Sequence, residues 1–63
     1  MGATEDKLRG NWNVVRGKLK EKYGELSDDD LTYAEGQEEQ VIGRIQQKTG
    51  KSKEEISRFI NSL

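Results

Sequence analysis

Leu8, Trp12, Val15, Leu19 and Tyr23 follow one another at steps of 4, 3, 4 and 4. That interval lines one face of an α-helix, whereas a half-buried strand would alternate at every second residue. The pattern returns near the end of the sequence, where Ile56, Phe59, Ile60 and Leu63 stand at i, i+3, i+4 and i+7. Between the two, Val41, Ile42 and Ile45 fall on one side of a further helix. The longest uninterrupted apolar run is two residues, as at Val14-Val15 and Val41-Ile42, which leaves no membrane-spanning helix and no secretory leader core. Narrow apolar stripes of this kind are buried by packing helix on helix, so the expected class is all-α.

Local signals set the expected boundaries. Thr4 can cap a first helix over about 5–23, with Glu5 and Asp6 where the N-terminal dipole favours acids. Gly10 either weakens this helix or delays its start, and Gly24 stands where a left-handed C-terminal cap belongs. Ser27, followed by Asp28, Asp29 and Asp30, opens a short second helix at about 28–32 that offers Leu31 and Tyr33 to the core. A third helix is expected over about 35–49 with Gly50 as its stop. Ser52 and Glu55 form the capping-box spacing for a last helix over about 53–62.

The chain also reads as an approximate duplication. When "GNWNVVRGKLKEKYG" (10–24) is laid over "GQEEQVIGRIQQKTG" (36–50), the three glycines coincide, as do Val15 with Val41 and Lys22 with Lys48. A capped acidic helix start follows each copy, "SDDDL" and then "SKEEI". Two copies are too few for a solenoid. They suit two packed helical hairpins, one over about 5–32 and one over about 35–63, making a single small bundle of about four helices across residues 1–63. Gly10 and Gly36 then fall at helix starts, and Gly24 and Gly50 at caps. Gly17 and Gly43 lie roughly 160° from the apolar residues two positions to either side. The core does not explain them, and they form a candidate surface for close approach by something outside the main seam.

Leu, Ile, Val and Phe make up 13 of 63 residues, just above the roughly one-fifth below which disorder is expected. A thin, marginal core follows. Charge is strongly blocked along the chain. Residues 1–24 carry six basic and three acidic side chains, 25–40 seven acids and no base, and 41–63 five basic and two acidic, for a formal net charge of −1. Such blocks serve either as solvated faces or as a bipolar surface for charged partners. There is no Cys and no His, so disulfides, the commonest general base and the commonest metal ligand are all missing. A cytoplasmic location is the expectation.

The stretch "GNWNVVRGKLKEKYGELSDDD" resembles the CsbD-like family of small bacterial stress-response proteins. Gly10, Trp12, Gly17, Lys18, Glu21, Tyr23, Gly24, Leu26, Ser27, Asp28 and Asp29 fill the first part of that pattern. Gly36, Gln40, Val41, Gly43, Arg44, Ile45, Gln46 and Gly50 fill the second. The match covers roughly 5–50. Arg16 stands where Lys is more usual, Tyr23 where Trp is often found, and Ser27 in place of Thr; none disturbs a helix or a cap. The resemblance implies an all-helical fold of two packed hairpins and expression under general stress. It implies no catalytic residue.

Motifs for chemistry are weak. "TGKS" at 49–52 echoes the end of a phosphate-binding loop, but Ile45 occupies the position of its first glycine and no strand precedes it. Ser52 reads better as a cap. Asp28, Asp29 and Asp30 lack the alternating spacing and Gly of a calcium loop, and complement a helix N-terminus instead. The serines have no His to activate them. No catalytic, cofactor or metal residues are assigned, and no enzyme is expected. Arg44, Lys48, Lys51, Lys53 and Arg58 surround the turn at 49–53, a candidate contact for phosphate or nucleic acid. The acidic block opposes a duplex, and a solvated basic turn is the simpler reading. Trp12, Tyr23 and Phe59 read as core rather than as a partner surface.

The expected function is therefore a non-enzymatic stress-response protein acting by protein interaction or protection, as a monomer or weak oligomer with no membrane partner. A weak, non-specific nucleic-acid-binding module is the alternative, and a largely disordered hydrophilic protectant a third.

Overall fold

The computed structural model describes residues 2–63, and among them it contains three helices and no strand: α1 (Gly2–Lys22), α2 (Glu38–Thr49) and α3 (Lys53–Asn61). Each helix packs on the other two. The buried apolar set is Leu8, Val15 and Leu19 from α1, Val41, Ile42 and Ile45 from α2, and Ile56 and Ile60 from α3. Tyr23, Leu26 and Leu31 join them from the chain between α1 and α2. The stripes foreseen from spacing are thus the ones that meet. Trp12 and Phe59 differ in degree, since they lie half-buried against the rim of this core rather than within it.

The short second helix expected at 28–32 does not form, leaving three helices instead of four, and with it the structural duplication fails. The start signal itself is present. Ser27 donates its N–H and its hydroxyl to the Asp30 carboxylate, each at 3.0 Å. Only one turn follows, closed by the Leu31 N–H to Asp28 C=O at 3.1 Å. One turn fixes several dihedrals for little hydrogen bonding, and three successive aspartates are poor helix formers. Thr32 and Tyr33 then leave the helical path, and the chain crosses to α2 through a 15-residue connection, 23–37.

Other boundaries move for local reasons. α1 begins before Thr4, whose hydroxyl does not cap but donates to Asn61 Oδ1 at 3.1 Å on α3. Next to Gly10 the helix breaks at Asn11, with φ −137° and ψ 40°. Gly24 is not left-handed; the Leu26 N–H instead donates to the Tyr23 C=O at 3.0 Å and the chain turns. α2 starts at Glu38 rather than 35 because Gly36 takes φ +93°, a conformation no helix contains. The turn into α3 is as expected. Gly50 is left-handed at φ +71°, its N–H donates to Gln46 C=O at 2.8 Å, and Ser52 Oγ accepts from the Glu55 N–H at 3.1 Å.

Candidate functional site

The turn at 49–53 is rigidly built. The Thr49 hydroxyl donates to Ile45 C=O at 2.7 Å and accepts from the Lys51 N–H at 3.2 Å. With the Ser52 hydroxyl engaged as the α3 cap, the "TGKS" stretch is a helix–helix turn, and its resemblance to a phosphate cradle ends with the sequence.

The five basic residues around this turn meet different surroundings. Lys48 lies 3.5 Å from Asp30, Lys53 3.9 Å from Glu39 and Arg58 3.8 Å from Glu54. Arg44 and Lys51 pair with no carboxylate among the described residues. Arg44 and Lys48 share one face of α2 by their i, i+4 spacing. Lys53 and Arg58 are divided between clefts on two sides of α3. Lys53 lines a groove of about 520 Å³ with Thr4, Glu54, Ser57 and Asn61, whereas Arg58 lines one of about 260 Å³ with Tyr23 and Phe59.

The acidic block is folded back on the basic helices. Asp28 sits 2.8 Å from Lys20 and 3.8 Å from Arg16, and the hydrogen bond from Lys20 holds its carboxyl below the usual range. Asp30, only 9% exposed, is also held low, chiefly by the Ser27 N–H and despite the desolvation that opposes it. Glu38 accepts from the Tyr33 hydroxyl at 2.6 Å and from the Gly36 N–H at 3.0 Å. Both bonds lower its carboxyl, and the one with Tyr33, together with burial, pushes that phenol up to about 12. The Tyr33 ring lies 5.0 Å from that of Trp12, pinning the connection to α1. What reads as a bipolar charge pattern is, in the fold, a loop tied down by carboxylates.

Gly17 and Gly43 are exposed, and a Cβ at either would meet no atom within 4 Å. No close approach within the chain requires them. Spacing did not reveal two features at the other end of the core. The Lys22 ammonium lies 5.5 Å from the centre of the Phe59 ring, and Tyr23 meets that ring edge-on at 6.0 Å. Both contacts join residues 36 or more positions apart, beyond the reach of any helical period.

Among the described residues no helix is long and apolar enough to cross a membrane. No solved structure matches the chain significantly. The UPF0337 protein YjbJ of Escherichia coli is 40% identical over 58 residues, covering 92% of this chain and 84% of its own. A UPF0337 protein of Pectobacterium atrosepticum is 50% identical over 50 residues, 79% of this chain and 72% of its own. Another from Pseudomonas aeruginosa is 45% identical over 58 residues, 92% and 89% respectively. The CsbD-like family model matches residues 6–58, a span that takes in the apolar stripes of α1 and α2 and the start of α3, and the chain belongs to the CsbD-like family.

Proposed function

We propose that this chain is a non-enzymatic, cytoplasmic stress-response protein that works by physical contact, through a protein partner or by protecting other molecules, as a monomer or weak oligomer. The observation that carries this reading is the use of its charge. Asp28, Asp30 and Glu38, which could otherwise act on a ligand, are held by Lys20, by Ser27 and Lys48, and by Tyr33. No His or Cys is present to supply nucleophilic or acid–base chemistry near neutral pH. The stress role is what the resemblance to the CsbD-like family implies.

Heat-induced aggregation of an unrelated enzyme tests it. Light scattering should fall as the chain is added at equimolar ratio, and scattering unchanged by excess chain sinks the protective form of the reading. Gly17 and Gly43 bear on the interaction form. Ala at both should stabilise α1 and α2 by about 0.5–1 kcal/mol each. Loss of a captured partner on that substitution would mark this face as the contact.

A second reading, weak contact with nucleic acid, is favoured by Arg44 and Lys51, which carry no intramolecular ion pair among the described residues. It requires binding to duplex DNA at low salt that falls steeply as salt rises. No binding at low salt removes it.

A further inference from the structure

Tyr23 carries a polar group with nothing to bond. The residue is 4% exposed, its hydroxyl oxygen is shut off from solvent, and no donor or acceptor among the described residues reaches it. Buried side-chain hydroxyls in folded proteins usually find a partner, and an orphan calls for a specific cause. Burial, together with the charges of Glu55 and Glu25, raises the phenol above its ordinary value, so it remains a hydrogen-bond donor at neutral pH.

Tyr23 forms part of the wall of the cleft of about 260 Å³ between the end of α1 and α3. Lys22, Glu55, Arg58, Phe59 and Ser62 complete it. Arg58 lies 3.8 Å from Glu54, so the cation of this cleft that pairs with no carboxylate among the described residues is Lys22, which suits a single negative charge better than a double one. A second groove of about 380 Å³ adjoins it, sharing Lys22 and Phe59 and reaching Leu63. There Lys18 and Glu21 pair at 3.9 Å, so the surface left for a ligand is the apolar one of Phe59 and Leu63.

The geometry points to a binding site for a small amphiphilic monoanion, a carboxylate on a short apolar body, whose oxygen accepts from Tyr23 while the body lies along Phe59 toward Leu63. Lys22 supplies the attracting charge, and Glu55 opposes it. Lys22, Glu55 and Arg58 are exposed, and exposed side chains change rotamer within nanoseconds. Rotation of these side chains is the movement the site requires for a ligand to reach the hydroxyl.

Octanoate titrated into the isotopically labelled chain, followed by amide NMR shifts, tests this site. Saturable shifts at Lys22, Tyr23, Phe59 and Ser62 are expected in the millimolar range. Octanol, which lacks the charge, and acetate, which lacks the body, should each bind more weakly. Tyr23→Phe keeps the ring and should weaken octanoate about tenfold, the loss expected for a hydrogen bond to a charged acceptor. Glu55→Gln should tighten it, an opposite sign that loss of packing would not produce. The absence of saturable shifts overturns the proposal, as does octanol or acetate binding as well as octanoate. Unchanged affinity in a folded Tyr23→Phe variant also overturns it; should that variant unfold, the sign of the Glu55→Gln effect decides.

Discussion

Two passages of the chain begin alike and end differently. "GELSDDDL" after α1 and "GKSKEEI" after α2 each place a glycine, a serine cap and acids in the same order, with the second linker one residue shorter. The first yields one turn within a long loop, the second a nine-residue helix. The cap is made in both. What differs is the sequence beyond it. After Ser52, Ile56, Phe59 and Ile60 continue an apolar stripe that the core can accept, whereas after Ser27 Leu31 is followed only by Tyr33, off the helical spacing, before Gly36 turns the chain. A cap lowers the cost of starting a helix, and tertiary burial decides whether it continues.

Core truncation should stress this contrast most. Ile56 is fully buried in α3 and Leu31 is 1% exposed in the loop. Ile56→Ala and Leu31→Ala should each cost about 2–5 kcal/mol by urea unfolding, enough to threaten a domain this small. A Leu31→Ala cost well below that range would show the loop to be an accessory rather than part of the core. The two glycines come next. Gly50→Ala forces a left-handed alanine and should cost about 1 kcal/mol, while Gly24→Ala should be neutral or slightly stabilising. Equal effects would erase the distinction between the two turns.

The caps should differ more modestly. Ser52→Ala is expected to cost about 1 kcal/mol. Ser27→Ala should cost less, because its hydroxyl lies 3.4 Å from the Asp30 N–H and the Ser27 N–H bond to Asp30 survives the change. Acid should separate the passages last. Asp30 and Glu38 titrate below their ordinary values of 3.8 and 4.5 in the fold. Their contribution is complete above those values and is lost as the pH falls through the lowered ones, below about pH 4. The turn at 49–52 is held by hydroxyls and does not titrate. Amide exchange in the loop should accelerate before exchange in that turn. The fluorescence of Trp12, whose ring lies tilted against Tyr33, should report the same release. Simultaneous loss of both passages would mean that the carboxylates are not what holds the loop.

The legible parts of the fold were those set within one turn of chain. The apolar stripes, the left-handed Gly50 and the Ser52 cap each depend on neighbours within four residues, and each appears where the spacing puts it. The repeat misled because it recorded glycines and caps but not the missing apolar continuation after Leu31. The break at Asn11 is a near miss, since Gly10 beside it marked a weakness in α1 without showing its form. Tyr33 with Glu38, Thr4 with Asn61 and the unpaired Tyr23 hydroxyl were invisible for another reason. Each is created by the path of the chain in space, which spacing along a helix does not encode.

The bond from Thr4 to Asn61 spans 57 positions of sequence. The Lys7 ammonium donating to Leu63 C=O ties the same two regions together. The first turns of α1 therefore find these partners only after α3 has docked, although they precede it along the chain. Segments that fold by neighbour contacts alone can fray one unit at a time. Here the outermost segments hold each other, so losing either end loosens the other, and unfolding should proceed as one event.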